Sequence, residues 1–424
     1  MPSLTPRAAL GMPAPSRKWQ IFAVLAGFYV VAYFYRVSAA VIAEDLQRDL
    51  ALTTEQLGNI SSALFYAFAL TQLPLGPILD RYGARRVIFT LGLITALGAA
   101  LLAGAQGYVG ALAGRALIGL GTACVLMGSL KIYTAWFEPH QFATLAGAQI
   151  ALGNFGNLLA TAPLAWAAGN FGWRPTFMAV ALLTTCFALA VLVIVRDTPG
   201  PSDAPSRTPL LADWGTLARS PSFWLLGLLA FFWYGGYMAV QGLWGAPYLI
   251  RELGQTPGES ARLLLFTAVG FIIGCPLAGR LSDRLLSSRK KVLLAGQLGL
   301  LLLLSLFLGP LPHLPEALLP YVFFLFGLCV STGPVLYAQT KELFPGPLAA
   351  TAMTSINFFV VIGAALTQQV MGYIMRDQGG DFHRAFAFPT LGLALAWLGY
   401  LFCRDTRPRR HPGPTRDERK LKNL

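Results

Sequence analysis

GPILDRYGARRV, Gly76 to Val87, and AGRLSDRLLSSRKKV, Ala278 to Val292, lie about half a chain apart. Each follows a long apolar run, carries Asp-Arg, and ends in a cluster of Arg or Lys before the next apolar run. A charged segment repeated between membrane-length apolar runs indicates internal duplication. A duplicated membrane protein with one such loop per half is most simply a transporter.

Composition agrees. The chain has 424 residues, of which 55% are hydrophobic and 12% charged, and its mean hydropathy is +0.58. A soluble protein carries roughly 25% charged residues. A membrane helix needs about 20 apolar residues, and the sequence predicts twelve, near 19–43, 54–79, 86–106, 109–137, 142–168, 175–195, 222–249, 260–282, 291–311, 317–341, 348–375 and 384–403. The first run is too long for the core of a cleavable signal peptide.

A net charge of +13 raises the question of nucleic acid, but the distribution of charge argues against it. Arg81, Arg85 and Arg86, then Arg196, Arg207 and Arg219, then Arg284, Arg289, Lys290 and Lys291 fall in alternate loops, whereas the intervening loops hold scattered arginines such as Arg48, Arg174, Arg251 and Arg262. This is the positive-inside pattern, and it predicts that both termini are cytoplasmic. The setting it fits is a bacterial inner membrane. The five cysteines sit in or at the ends of apolar runs without a CxxC pair or His cluster, so neither a disulfide framework nor a metal site is expected. No cofactor is implied.

The longest polar insert holds Pro199, Pro201, Pro205 and Pro209 and reads as a linker. The expected organisation is a six-helix bundle over 1–195, a cytoplasmic linker over 196–221, a second bundle over 222–404 and a basic tail over 405–424. WFEPHQFATLAG (Trp136 to Gly147) and LFPGPLAATAMT (Leu343 to Thr354) add a second weak repeat. Repeat-built transporters bind substrate near the bilayer midplane, between the repeats.

Gly76, Asp80, Arg81, Gly83, Arg85 and Arg86 resemble the loop between helices 2 and 3 of the major facilitator superfamily. The second copy, with Gly279, Asp283 and Arg284, and the run Gly114 to Gly121 around Arg115 resemble further motifs of that family, so the likeness covers essentially the whole chain. It implies an all-α membrane protein of two pseudo-symmetric six-helix bundles around a central cavity, working as a monomer. It also implies a gating role for Gly76, Asp80, Arg81, Gly83, Arg85, Arg86, Asp283 and Arg284. An acid at a helix C-terminus opposes the helix dipole, so Asp80 needs a partner that can be made in one conformation and broken in another. The second copy has Leu285-Leu286 where the first has its glycine.

Ionisable residues within the bilayer are costly and functional by default. Arg36 lies beyond the midpoint of the first span, on a stripe with Tyr29 and Tyr33. The seventh span repeats the offset with Tyr234 and Gln241, and its stripe continues through Tyr237, Trp244 and Tyr248. Two such stripes on related helices would line one cavity. Arg suits bidentate capture of carboxylate or phosphate. Arg115 and Lys131, sixteen residues apart in the fourth span, point to nearly opposite faces of an ideal helix; Lys131 can snorkel to the cytoplasmic edge. Tyr337 and Asn357 are further cavity candidates, as are Asn59, Tyr66, Gln72, Gln368 and Gln369, although hydrogen bonding between helices serves equally well.

No Asp, Glu or His lies deep within a predicted span. A cavity with only positive fixed charge favours an anion, coupled to a proton, a sodium ion or a counter-anion. The run YFYRVSAAVI, Tyr33 to Ile42, is similar to the organophosphate:phosphate antiporter branch and the related anion:cation symporters. That branch typically has a second basic residue in helix 7, where this chain has Gln241, so a carboxylate is as well placed as a phosphate ester. Two other readings stand beside an organic-anion transporter: an exporter of amphipathic drug-like compounds, and a transporter-like sensor without flux. No nucleophile–base pair or phosphate loop points to an enzyme.

Overall fold

The computed structural model describes residues 15–196, 215–344, 348–376 and 381–406. Most of the expected linker, with Arg207, and most of the basic tail lie outside them, as do Pro345 to Pro347 of the second Pro-turn repeat.

The first span is Pro15–Val41, the second Thr54–Tyr82 and the third Ala84–Ala103. The fourth is broken into Tyr108–Thr122 and Val125–Trp136, and the fifth into Pro139–Leu159 and Ala162–Phe171. Trp173–Ile194 completes the first bundle. In the second bundle, the seventh span runs Pro221–Met238, a π-helical turn Ala239–Trp244, then Gly245–Leu253. Pro257–Arg280, Arg289–Ser305, Leu319–Val330 with Val335–Leu343, Leu348–Ile374 and Phe382–Tyr400 follow. Among the described residues, nine helices are by themselves long and apolar enough to cross a membrane. The chain is a multi-pass integral membrane protein of twelve spans in two bundles.

Local chemistry explains the boundaries. Thr53 caps the second span, its hydroxyl accepting from Gln56 N while Gln56 reaches back to Thr53 N. Thr256 and Glu259 do the same for the eighth span. Two capping boxes at matching places are a third mark of duplication, which the sequence carries as T-x-x-Q and T-x-x-E. In the first loop copy the chain turns on one residue, Gly83, at φ 80°, a conformation that side chains resist. The second copy has no glycine there. It ends in a π turn, Leu281–Leu285, and bends through Ser287 at φ 45°.

Between the bundles, the second span packs on the eleventh, the fifth on the eighth, and the first on the π turn of the seventh. Gly58 and Gly372 bring the second and eleventh spans together: a Cβ on Gly58 would lie 3.0 Å from Gln368 O and 3.4 Å from Gly372 Cα. This seal is at the end of the molecule that carries Glu44, called here the Glu44 end. The end with both Asp-Arg loops is the basic end.

Candidate functional site

The site is built around Arg36. Its guanidinium carbon sits 4.4 Å from the Tyr33 ring centroid and 4.6 Å from that of Phe68, on the second span. Tyr33, Tyr234 and Tyr29 surround it, with Tyr234 in hydrogen-bond reach. Tyr337 closes the group from the tenth span, within electrostatic range of Tyr33, Tyr234 and Arg36. Tyr29 Oη donates to Tyr33 Oη at 3.2 Å, and its ring fits because Gly153 of the fifth span has no side chain: a Cβ there would lie 2.6 Å from it. Arg36, Tyr33, Tyr234 and Tyr337 are all only partly buried. Among the described residues no carboxylate pairs with Arg36, so its charge is balanced only by aromatic faces and phenols.

A polar chain runs on from this group. Tyr337 Oη donates to Asn357 Oδ1 at 2.9 Å, and Asn357 Nδ2 donates to Gln72 Oε1 at 3.2 Å. Further toward the Glu44 end the halves are tied by Ser61 Oγ to Gln368 Oε1 (2.7 Å), Tyr66 Oη to Gln369 Oε1 (2.6 Å) and Gln369 Nε2 to Asn59 Oδ1 (2.7 Å). At that end Arg251 reaches Gln47 at 2.6 Å and Glu44 at 3.6 Å, and Arg376 reaches Glu55 at 3.2 Å.

Of the other residues expected at the site, several are placed away from the Arg36 group. The seven-residue match of Tyr234 and Gln241 to Tyr29 and Arg36 assumes an uninterrupted α-helix. The π turn at Ala239–Trp244 changes the rotation per residue, which breaks that seven-residue match at Gln241. It is 1% exposed, with neither side-chain polar atom hydrogen-bonded. Beyond the turn, Tyr248 packs among Phe307, Phe382, His383 and Phe386. Trp244 is buried against the Gly58–Gly372 contact and donates its indole N–H to Gln368 O at 3.0 Å. Tyr237, by contrast, adjoins the group: its ring centroid lies 5.7 Å from that of Tyr234 and 5.6 Å from that of Phe271, without a well-formed hydrogen bond from its hydroxyl.

Arg115 is 1% exposed and donates Nη1 to Tyr35 O at 2.7 Å, leaving Nε and Nη2 unpaired. It braces the first span from behind rather than facing the cavity. Lys131 donates to Leu79 O at 2.9 Å, in the last turn of the second span, where that carbonyl also accepts from Gly83 N at 3.1 Å. The break at Ala123–Cys124 separates these two residues into different helical segments.

The loop copies differ in detail. Arg85 donates Nε to Leu192 O at 3.0 Å, tying the loop to the sixth span, and Arg81 lies 5.5 Å from the Tyr82 ring centroid. In the second copy, Arg289 bonds Asp283, Ser282 (2.9 Å) and Glu342 (3.0 Å), linking loop and tenth span. Asp405 holds the same loop through Ser288 at 2.8 Å and Lys290 N at 3.1 Å. The side chains of Asp80 and Arg284 lie outside the described residues. Phe68 and the pivotal position of Arg289 were not anticipated. A lone Phe on an apolar face reads as core, and Arg289 reads as one basic residue among several.

Two bundles that meet around a partly buried arginine and are joined by side-chain hydrogen bonds have the layout of a membrane transporter. The family model of the Major Facilitator Superfamily matches residues 24–366 and 235–423, and the chain belongs to that superfamily. It is 24% identical over 413 residues to a probable sulfoacetate transporter of Cupriavidus necator, covering 90% of this chain and 93% of that one. It is 25% identical over 388 residues to a hexuronate transporter of Bacillus subtilis, covering 86% and 89%. Among solved structures, a D-xylose-proton symporter superposes with a TM-score of 0.74 at 17% identity, covering 91% of this chain and 98% of that one.

Proposed function

We propose that this protein is a secondary active transporter that moves a small organic anion, a carboxylate in preference to a phosphate ester, by rocker-switch alternating access. The observation that carries the reading is Arg36: a partly exposed guanidinium between the halves, flanked by phenols and facing no acid among the described residues. A buried or half-buried charge without a partner is expensive, and an incoming carboxylate supplies the missing partner through paired, charge-assisted hydrogen bonds. Tyr33, Tyr234 and Tyr337 offer hydroxyls to the rest of a small polar substrate. The names of the sulfoacetate and hexuronate relatives support an acid as cargo. The single cationic side chain in the group speaks for one anionic group held there per substrate.

Alternating access follows from the bonds between halves. The three that lie within the membrane toward the Glu44 end, Ser61–Gln368, Tyr66–Gln369 and Gln369–Asn59, are worth about 0.6 kcal/mol each by the average for such bonds. A total of about 2 kcal/mol seals the Glu44 end yet can be broken in every cycle, in the range over which a bound ligand shifts a conformational equilibrium. The positive-inside pattern of the basic loops supports a cytoplasmic side for the other end in a bacterial inner membrane, and with it a conformation open or occluded toward the inside. Arg85 and Arg289 act as the loop anchors that change with the cycle. The protein works as a monomer, and its coupling partner is a proton, a sodium ion or a counter-anion.

The test is uptake of labelled small carboxylates into proteoliposomes. Wild-type protein takes up at least one, and Arg36→Ala abolishes that uptake while melting as the wild type does. Uptake that survives in Arg36→Ala removes the anion role assigned to this arginine. Binding without flux in the wild type identifies a sensor.

A further inference from the structure

We infer that a groove on the outside of the N-terminal bundle holds an anionic phospholipid, with one acyl chain along its apolar floor and the phosphate at Arg86. The groove is about 660 Å³ and is lined by Leu75, Ile78 and Tyr82 of the second span, Arg86 and Leu91 of the third and Leu120 of the fourth. The second and third spans form its walls, and the fourth, which packs between them, forms its floor. At about 100° per residue, Leu75, Ile78 and Tyr82 centre on roughly the opposite side of the second span from Gly58, Tyr66 and Gln72, which meet the other bundle. The groove therefore faces lipid and not the transport cavity. Leu70, at its inner end, is 65% exposed, which in a membrane means contact with acyl chains.

Charge selects the occupant. Arg86 is exposed, and among the described residues it makes no hydrogen bond or ion pair. It stands at the basic end, one residue beyond Arg85, which is spent on the Leu192 carbonyl. Tyr82, 53% exposed, carries the Arg81 guanidinium 5.5 Å from its ring centroid at the same mouth. An apolar trough that ends in an unpaired arginine at headgroup depth matches a molecule with a long hydrocarbon chain and a phosphate, and a basic pocket between spans is the usual form of such a site. Both walls meet at Gly83, so an occupant bridges the two spans that flank the Asp-Arg loop.

The experiment is native mass spectrometry of the detergent-purified protein with equal phosphatidylglycerol and phosphatidylethanolamine. Wild-type protein retains phosphatidylglycerol in several-fold excess. Arg86→Gln removes that preference, whereas Arg280→Gln, an exposed basic residue at the same end of the second bundle, keeps it. Leu75→Trp, which fills the trough, lowers retention of both lipids. Equal retention of the two lipids by the wild type overturns the inference. So does an identical effect of the two arginine variants, which signals a general surface charge effect, or a Leu75→Trp variant that binds as the wild type does. Melting curves of each variant confirm folding.

Discussion

In the proposed transporter, Arg36 and its ring of phenols carry the chemistry. Lys at this position keeps the charge but loses the planar fork and the stacking against Tyr33 and Phe68, features that Arg alone supplies. Arg36→Lys is therefore expected to raise the apparent KM for an anionic substrate at least tenfold, about 1.4 kcal/mol, with part of the maximal rate retained. Equal kinetics would mean that only a point charge is needed. A second residue effect lies outside the membrane. Trp173 Nε1 donates to Asp49 Oδ2 at 2.8 Å, and this bond, with Arg48 beside it, holds the Asp49 carboxyl below its ordinary pKa. A carboxyl with a lowered folded-state pKa contributes stability above its unfolded value, near 4, and loses it as pH falls. The stability gap between wild type and Asp49→Asn should be present at pH 7 and close below about pH 4; a gap independent of pH would assign the bond no ionic part.

Helices and turns show how much the sequence disclosed. The positions of the spans follow from runs of apolar residues, which the bilayer demands, and the cytoplasmic-type loops follow from Asp-Arg and clustered arginines. The site was legible in its first-span half, because Tyr29, Tyr33 and Arg36 share a face of an unbroken helix. It was not legible in its seventh-span half. No residue pattern announces the π turn at Ala239–Trp244, and beyond it Tyr248 packs among Phe307, Phe382 and Phe386 instead of continuing the predicted stripe. Phe68 was hidden because an aromatic on an apolar helix face looks the same whether it stacks on a guanidinium or on Leu. At the same scale, Gly83 carries the first loop at φ 80° and ψ 149°, a region close to glycine-only. Gly83→Ala should cost about 1–3 kcal/mol, read as a lowered melting temperature. An unchanged melting temperature would show that the loop relaxes into the second copy's longer turn.

Across the whole molecule, the two halves meet at the Glu44 end through Gly58 and Gly372, the amide ladder and the Arg251 and Arg376 pairs. The exposed pairs add little, as surface ion pairs do; the close helix approach and the buried bonds make the seal. Gly372→Val pushes a branched side chain into Gly58 and Trp244, whose nearest atoms lie only 3.4 Å from a Cβ. It should shift the population toward opening at the Glu44 end. The check is the labelling rate of Asn59→Cys by a membrane-impermeant thiol reagent added from that side, expected to rise at least tenfold with Gly372→Val; no change would place the seal elsewhere. The central claim, an anion held by Arg36 between two moving halves, is tested most directly by the thermal stability of detergent-purified protein against small mono- and dicarboxylates, sulfonates, sugar phosphates and cationic amphiphiles. A ligand that binds only the folded protein raises its apparent stability by mass action. A small carboxylate or sulfonate is expected to stabilise the wild type and leave Arg36→Ala unmoved. Stabilisation by cationic or neutral amphiphiles alone, equal in both proteins, would contradict it.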